Sequence, residues 1–249
     1  SDLGLYGVIV YGFLRNRGGR KCKVLLTGGG TGGHVYPALA IYRILLDRNR
    51  VSEVRYFGVR GRAEESIVPR HNIPLTFIPS APIAGGSPFS QLKAGLTIAR
   101  GTVLAMIHIL RYKPHVVIAA GGYVSAPVVF ASFLLKPFLK LRIVVDEQNL
   151  VPGLLNKVAS AMADVVLVNF RESAYFMWSN RCVYTGYPVR PDYRNPVKDR
   201  NSLRQTLEIP EDAFLVVISG GSMGSRSMNR AIASIAHRLP MEKNLYVVH

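Results

Sequence analysis

Short apolar runs recur along the chain, separated by longer stretches in which apolar residues return every three or four positions. Residues 23–27, 54–58, 75–78, 116–120, 142–145, 165–168 and 182–184 read as strands. Each is rich in Val, Ile or Leu and closed off by Gly, Pro or charge. Unbroken apolar runs of this length suit strands covered on both faces. Between them, residues 37–48 and 91–112 carry the helical period. The alternation predicts an α/β architecture with a parallel sheet between two layers of helix.

The texture changes after residue 190. Residues 191–212 are polar and carry three prolines, which reads as a linker leading into a short helix. A new buried strand follows at 214–219, then the turn "GGSMGSRSMN", a helix over 228–238 and a strand over 245–248. The expected organisation is an N-terminal extension over 1–22, a first domain over 23–190, a linker over 191–204 and the start of a second domain over 205–249. Two strands do not close the core of an α/β domain, so the sequence reads as part of a longer protein.

Charge changes the picture. The formal net charge is +16, from 31 Lys and Arg against 15 Asp and Glu. Such an excess suits an anionic partner: nucleic acid, a phosphorylated ligand or an anionic membrane surface. No helix-turn-helix, RNA-recognition or zinc-finger signature is present, which makes nucleic acid the weakest of these. Cys22 and Cys182 lie far apart without metal-ligand spacing and read as ordinary thiols of a reducing compartment. No apolar run is expected to be long enough to span a bilayer. Residues 3–14 are apolar and precede Arg15, Arg17, Arg20 and Lys21, the pattern of a short interfacial anchor or of a piece of a longer upstream segment. In "FASFLLKPFLKLR", Phe133, Leu134, Leu135, Phe138 and Leu139 stand among Lys136, Lys140 and Arg142, a second apolar and basic segment.

Candidate chemistry starts at "TGGGTGGHVYPALA", between the first strand and the first helix, where five glycines stand within six residues. Gly28, Gly30 and Gly33 satisfy G-x-G-x-x-G. Glycines there allow a tight turn and a close backbone approach to a phosphate or sugar, and a helix N-terminus favours negative charge. A dinucleotide fold also wants an acidic residue at the end of the second strand. That strand ends in "GVRGR", and Glu53 lies at its other end, so a nicotinamide or flavin dinucleotide is disfavoured. Three further polar or glycine-rich stretches follow strands: "AAGGYVSAP", "DEQNLVPGLLN" and "TGYPVRPD". Each is readable alone as a cap or turn, but together they fall at the carboxyl edge of one sheet, where such sheets bind ligands.

"GGGTGGHVYPALA", "GGYVSAPV", "EQNLVPGLLNK", "GYPVR" and "GGSMGSRSMN", in that order, resemble the MurG family from about residue 23 onward. The resemblance implies a GT-B fold, two Rossmann-like domains with parallel sheets, of which the second is only partly present. It implies inverting transfer of N-acetylglucosamine (GlcNAc) from its UDP donor to lipid-linked muramyl pentapeptide, with a β-1,4 bond formed at the cytoplasmic leaflet. No cofactor or metal is implied; helix dipoles and backbone donors stabilise the leaving group.

By matched motif, the resemblance puts Thr31, Gly32, Gly33, Asn149, Arg190 and Ser222 on the donor. It puts Gly121, Gly122, Tyr123 and Asn156 on the acceptor. His34 and Glu147 compete for the role of base, and His34 has the alternative role of orienting the acceptor diphosphate. Two positions depart from the family's pattern. Asp146 stands where the family often has His before "EQN", and Met223 stands where it usually has Gln. Two other readings stay open: a GT-B transferase acting on another lipid such as diacylglycerol, and a non-catalytic nucleotide- or membrane-binding module.

Overall fold

A computed structural model describes residues 21–47, 49, 51–83, 87–189, 199–221, 224–238 and 244–248. Nearly all of the expected 1–22 extension, most of the linker, and Arg190, Ser222 and Met223 lie outside the described residues. The chain divides into two compact units, Ser1–Arg190 and Pro191–His249.

The first unit is built on β1 (Cys22–Thr27), β2 (Val51–Gly58), β3 (Leu75–Phe77), β4 (Val116–Ala119), β5 (Arg142–Glu147), β6 (Val165–Val168) and β7 (Cys182–Tyr184). They form one seven-stranded sheet in the order β3-β2-β1-β4-β5-β6-β7, and every neighbouring pair is parallel. The chain therefore winds outward from β1 through β3, then crosses back to place β4 on the other side of β1. Successive connections diverge beyond the carboxyl ends of β1 and β4, and this reversal opens a crevice there. The α/β fold expected from the alternation is the one observed.

Side chains alternate along each strand and feed two cores. Val24, Leu26 and Ile118 turn toward α1 (Gly32–Asp47), against Val35, Ala38 and Ile41. Leu25, Val117 and Ala119 turn the other way, against α3 (Pro88–Tyr112) and α4 (Ala126–Leu139), where they meet Ala105, Ile109, Val128 and Val129. Between β2 and β3 sits a short helix, α2 (Ala63–Ile67), and between β5 and β6 lies α5 (Leu154–Met162).

Several element ends differ from the sequence reading, the strand expected over 214–219 stops at Val217 and is only partly buried, and two differences bear on the site. Helix α1 begins at Gly32, five residues before the expected start, and carries Pro37 inside it. Glycines give no apolar period to read, and Pro37 forfeits only the amide that would bond to the Gly33 carbonyl. Strand β5 continues through Asp146 and Glu147, which pair with Leu167 and Val168 of β6. Their polarity hides them from a search for apolar runs.

Helix α3 also corrects an expectation. It has 25 residues, and its most apolar window has mean hydropathy 1.3, so by length and composition it is long and apolar enough to cross a membrane. Its buried residues, Ala94, Ile98, Gly101, Ala105, Ile109 and Tyr112, form a stripe of three- and four-residue steps. That stripe is packed in the first unit, and the Tyr112 hydroxyl reaches the carbonyls of Val24 and Glu53, each at 3.0 Å.

In the second unit, β8 (Phe214–Val217) and β9 (Leu245–Val248) pair in parallel, accompanied by α6 (Arg200–Thr206) and α7 (Arg226–Ile235). Asp199 caps α6 by accepting the Ser202 amide, and the Ser225 hydroxyl caps α7 by accepting the Met228 amide.

Gly101 is a point of close approach on α3. A Cβ there would run into the Pro79 carbonyl and press on Pro127. Gly101→Ala is therefore expected to destabilise the fold by about 1–3 kcal/mol, the usual cost of overpacking. Urea denaturation of the full-length protein checks this. Helix propensity alone favours Ala by about 1 kcal/mol, so a more stable variant would show the contact to be soft.

Candidate functional site

The crevice between β1 and β4 holds the glycine loop. Gly28, Gly29 and Gly30 have φ of 145°, 155° and 87°, values that L side chains rarely adopt. The loop is tied down from beneath. The Tyr56 hydroxyl donates to the Gly28 carbonyl at 2.7 Å. Burial, and then the nearby Glu64 charge, push the Tyr56 phenol well above its ordinary pKa, which keeps it a donor. Glu64, from α2, has no solvent exposure. Its Oε2 accepts the Gly30 amide at 3.0 Å and its Oε1 accepts the Val59 amide at 2.9 Å.

Glu64 is a residue that sequence reasoning missed. A carboxylate does stand near the glycine loop after the second strand, but it bonds backbone amides. Glu53, by contrast, sits at the far end of β2, paired with Lys23 at 3.2 Å and Arg55 at 3.0 Å.

Beside this loop runs the "GGY" turn after β4. Gly121 and Gly122 have φ of 84° and 76°. A Cβ on Gly121 would lie 2.7 Å from the Asn156 amide nitrogen, and one on Gly122 would lie 2.6 Å from the Gly29 carbonyl and 3.2 Å from the His34 ring. Glycine is needed here for close approach as well as for φ. Tyr123 follows, its backbone carbonyl accepting the Ser80 hydroxyl at 2.6 Å and its ring 6.0 Å from the Arg62 guanidinium.

Glu147, the last residue of β5, organises the next loop. Its side chain is fully buried, a costly position for a charge unless donors surround it. Oε1 accepts both the backbone and side-chain amides of Asn149, at 2.7 and 2.9 Å, and Oε2 accepts the Asn156 side chain at 2.6 Å. The Ser173 hydroxyl fastens the same loop through the Asn149 carbonyl, at 3.0 Å. With three amide donors on it, Glu147 is placed to shape the loop.

His34 sits on the first turn of α1, partly exposed. Its Nδ1 lies 2.9 Å from the Gln148 Oε1 and 3.1 Å from the Ala120 carbonyl. The Gln148 amide nitrogen in turn donates to the Asp146 side chain at 2.6 Å and to its carbonyl at 3.2 Å.

A cavity of about 480 Å³ opens over these groups. His34, Gly122, Tyr123, Glu147, Asn149 and Asn156 line it, so six of the residues singled out from the sequence meet there. Pro82, Ile83, Leu154 and Leu155 supply an apolar side that the sequence reading did not anticipate. Gly121 stands just behind, against Asn156. Thr31, Gly32 and Gly33 lie at the start of α1 without lining the cavity; Thr31 and Gly33 are exposed and Gly32 is buried.

Residues 24–168 match the glycosyltransferase family 28 N-terminal domain. The chain is 38% identical over 228 residues to the UDP-N-acetylglucosamine--N-acetylmuramyl-(pentapeptide) pyrophosphoryl-undecaprenol N-acetylglucosamine transferase of Symbiobacterium thermophilum, covering 91% of this chain and 59% of that protein. The protein of the same description from Moorella thermoacetica is 38% identical over 219 residues, covering 87% of this chain and 57% of its own length. The chain thus spans about 60% of the length of the curated relatives it matches. Among solved structures, Acinetobacter baumannii MurG superposes with a TM-score of 0.63 at 22% identity, over 91% of this chain and 68% of that one. UDP-GlcNAc 2-epimerase from Neisseria meningitidis, bound to UDP-GlcNAc, gives 0.56 at 13% identity, over 90% and 64%. These likenesses show the fold, of GT-B type.

The role given to Glu64 is testable. Glu64→Gln replaces one of its acceptor oxygens by a donor facing a backbone amide. The expected cost is about 1–3 kcal/mol, that of an unsatisfied buried group. Chemical denaturation of the full-length protein measures it, and an unchanged midpoint would mean that the loop holds itself.

Proposed function

The chain belongs to glycosyltransferase family 28, and we propose that the protein moves GlcNAc from UDP-GlcNAc to undecaprenyl-diphospho-MurNAc-pentapeptide, converting lipid I to lipid II. The reading is carried by the cavity at the β1–β4 crevice, where His34 meets Glu147, Asn149 and Asn156. The names of the sequence relatives supply the substrates.

In this reading the acceptor hydroxyl attacks the anomeric carbon of GlcNAc from the face opposite UDP. The new glycosidic bond forms as the bond to the diphosphate oxygen breaks, and the configuration inverts. His34 takes the hydroxyl proton at Nε2, and the electron pair leaves with UDP. Asn149, held by Glu147, is a contact for the donor sugar. Thr31, Gly32, Gly33, Arg190 and Ser222 are the further donor residues of this proposal, and Gly121, Gly122, Tyr123 and Asn156 its acceptor residues. Glu147 acts as a positioning residue, because its oxygens already accept amides.

The acceptor is a lipid, and the proposed place of work is the cytoplasmic face of the bacterial plasma membrane, held peripherally. Helix α3 exposes Phe89, Leu92, Leu96 and Val103, and α4 exposes Phe133, Leu134 and Phe138. Exposed Lys93 and Arg100 stand among the former. Apolar side chains ringed by cations bind anionic lipid without spanning it.

Two of the basic residues of the second segment already have an acidic partner. Lys136 and Arg142 both bond Asp164 Oδ1, at 2.8 and 2.9 Å, and the Ile143 amide donates to its Oδ2 at 2.9 Å. Burial acts to raise the Asp164 pKa, but these donors outweigh it and hold the carboxyl below its ordinary range. Leu135 is buried and belongs to the core.

Two measurements test the proposal. The full-length protein is incubated with radiolabelled UDP-GlcNAc and either lipid I or diacylglycerol. Label should move to lipid I. Transfer to diacylglycerol alone selects the other lipid transferase, and donor binding without transfer selects a non-catalytic module. In the same assay Asn149→Ala should lose about tenfold or more activity, the worth of a substrate hydrogen bond, while Asn180→Ala, exposed and outside every motif, should not.

For the membrane, Phe89→Ser with Phe138→Ser should weaken sedimentation with anionic vesicles at any salt. Replacing Lys93, Arg100 and Lys140 by Gln should cost up to about 3 kcal/mol, roughly two orders of magnitude in partitioning, and only at low salt. Equal binding to neutral and anionic vesicles, unaltered in the triple Gln variant, would assign the positive charge to the phosphorylated substrates.

A further inference from the structure

Asp146 is fully buried at the carboxyl end of β5 and occupies a position where the resembled family often has His. Gln148 is the only residue between Glu147 and Asn149, whose own side chains are engaged with each other. The Asp146–Gln148–His34 contacts run in one direction. At 2.6 Å the Asp146 carboxylate takes the Gln148 amide nitrogen, which turns the Gln148 Oε1 toward the His34 Nδ1 at 2.9 Å.

We propose that Asp146, acting through the Gln148 amide, holds His34 in the tautomer protonated on Nδ1 and so keeps the Nε2 lone pair turned to the cavity. Asp146 and Gln148 are then positioning residues for His34. The proposal rests on the reading of His34 as the base.

The reasoning is one of donors and acceptors. Both neighbours of the His34 Nδ1, the Gln148 Oε1 and the Ala120 carbonyl, are acceptors, so Nδ1 must carry the hydrogen. In a neutral imidazole the other nitrogen is then the acceptor. The Ala120 carbonyl alone does not secure this, because the Gln148 amide has two ends. Were it turned over, its nitrogen would donate to Nδ1 and favour the opposite tautomer. That orientation would also set the Gln148 oxygen 2.6 Å from an Asp146 carboxylate oxygen, two acceptors with no hydrogen between them. The carboxylate blocks it, and the Asp146 backbone carbonyl, 3.2 Å from the same nitrogen, opposes it at longer range. Asp146 cannot retreat, since β5 fixes it in register opposite Leu167. The arrangement has the logic of an acid–histidine pair, in which the acid sets ring orientation and tautomer, with an amide inserted between the two.

The test uses the full-length protein with 15N-labelled histidine. The His34 imidazole signals are assigned by their loss in His34→Ala and read in alkaline buffer. The wild type should show hydrogen on Nδ1 only. Asp146→Asn, which lets the amide turn, should populate the Nε2–H tautomer. It should also lower kcat about 10- to 100-fold, a part of the roughly 100- to 10,000-fold that a positioned general base contributes, with the KM for UDP-GlcNAc changed less than about threefold. Gln148→Met, which keeps length but has no oxygen, should have the same kinetic effect. The double variant should fall no more than about threefold below the worse single one, because the two residues act as one chain. Thermal unfolding of each variant identifies a loss that is only structural.

A wild type protonated on Nε2 would overturn the proposal. So would an Asp146→Asn protein with the Nδ1–H tautomer intact, or kinetic losses that multiply. If the tautomer responds as expected but His34→Ala keeps its activity, the positioning stands and the assignment of His34 as base falls.

Discussion

Three carboxylates with no access to solvent, Glu64, Asp146 and Glu147, govern the carboxyl edge of the first unit's sheet. A charge in that position has to be met by donors, and each of these is met by amides from the segments around the site. Glu64 gathers the Gly30 and Val59 amides, Glu147 gathers Asn149 and Asn156, and Asp146 takes Gln148. The loops of the site are therefore shaped by groups that lie beneath them. Glu64 and Asp146 do not line the cavity, and Glu147, which does, has both carboxylate oxygens taken by amides. That arrangement suits a site proposed to receive diphosphates, since an exposed carboxylate would repel them.

Much of the fold could be read from the sequence because its strands are unbroken apolar runs, and β4 and β6 sit where Val116–Ala119 and Val165–Val168 stand out. What could not be read has a common cause: pattern methods see apolar periodicity, and functional segments suppress it. The start of α1 is lost among glycines, and the end of β5 is lost because Asp146 and Glu147 are polar. The site was legible to the extent that its motifs follow strands, since a parallel sheet delivers every such loop to one edge. Glu64 was invisible, because a lone glutamate in a short helix carries no spacing that announces a bond to a distant amide. Asp164 was invisible for the same reason, and with it the pairing of Lys136 and Arg142.

Helix α3 shows how one element serves two environments. Its small residues, Ala94, Gly101 and Ala105, let it lie close in the core, and a stripe of this kind leaves the remaining circumference available for large apolar side chains. By composition alone such a helix is indistinguishable from a membrane span, and only the packing of its narrow face against the unit separates the two cases.

Gly122 has a wider consequence. A single added carbon there would press at once on the Gly29 carbonyl and on the His34 ring, so two loops from strands on either side of the crevice share one volume. Positions 29, 34 and 122 are thus a single steric unit. A side chain can be added at 122 only where the Gly29 backbone and the His34 ring give way together, while position 29 is closed separately by Glu64 beneath it.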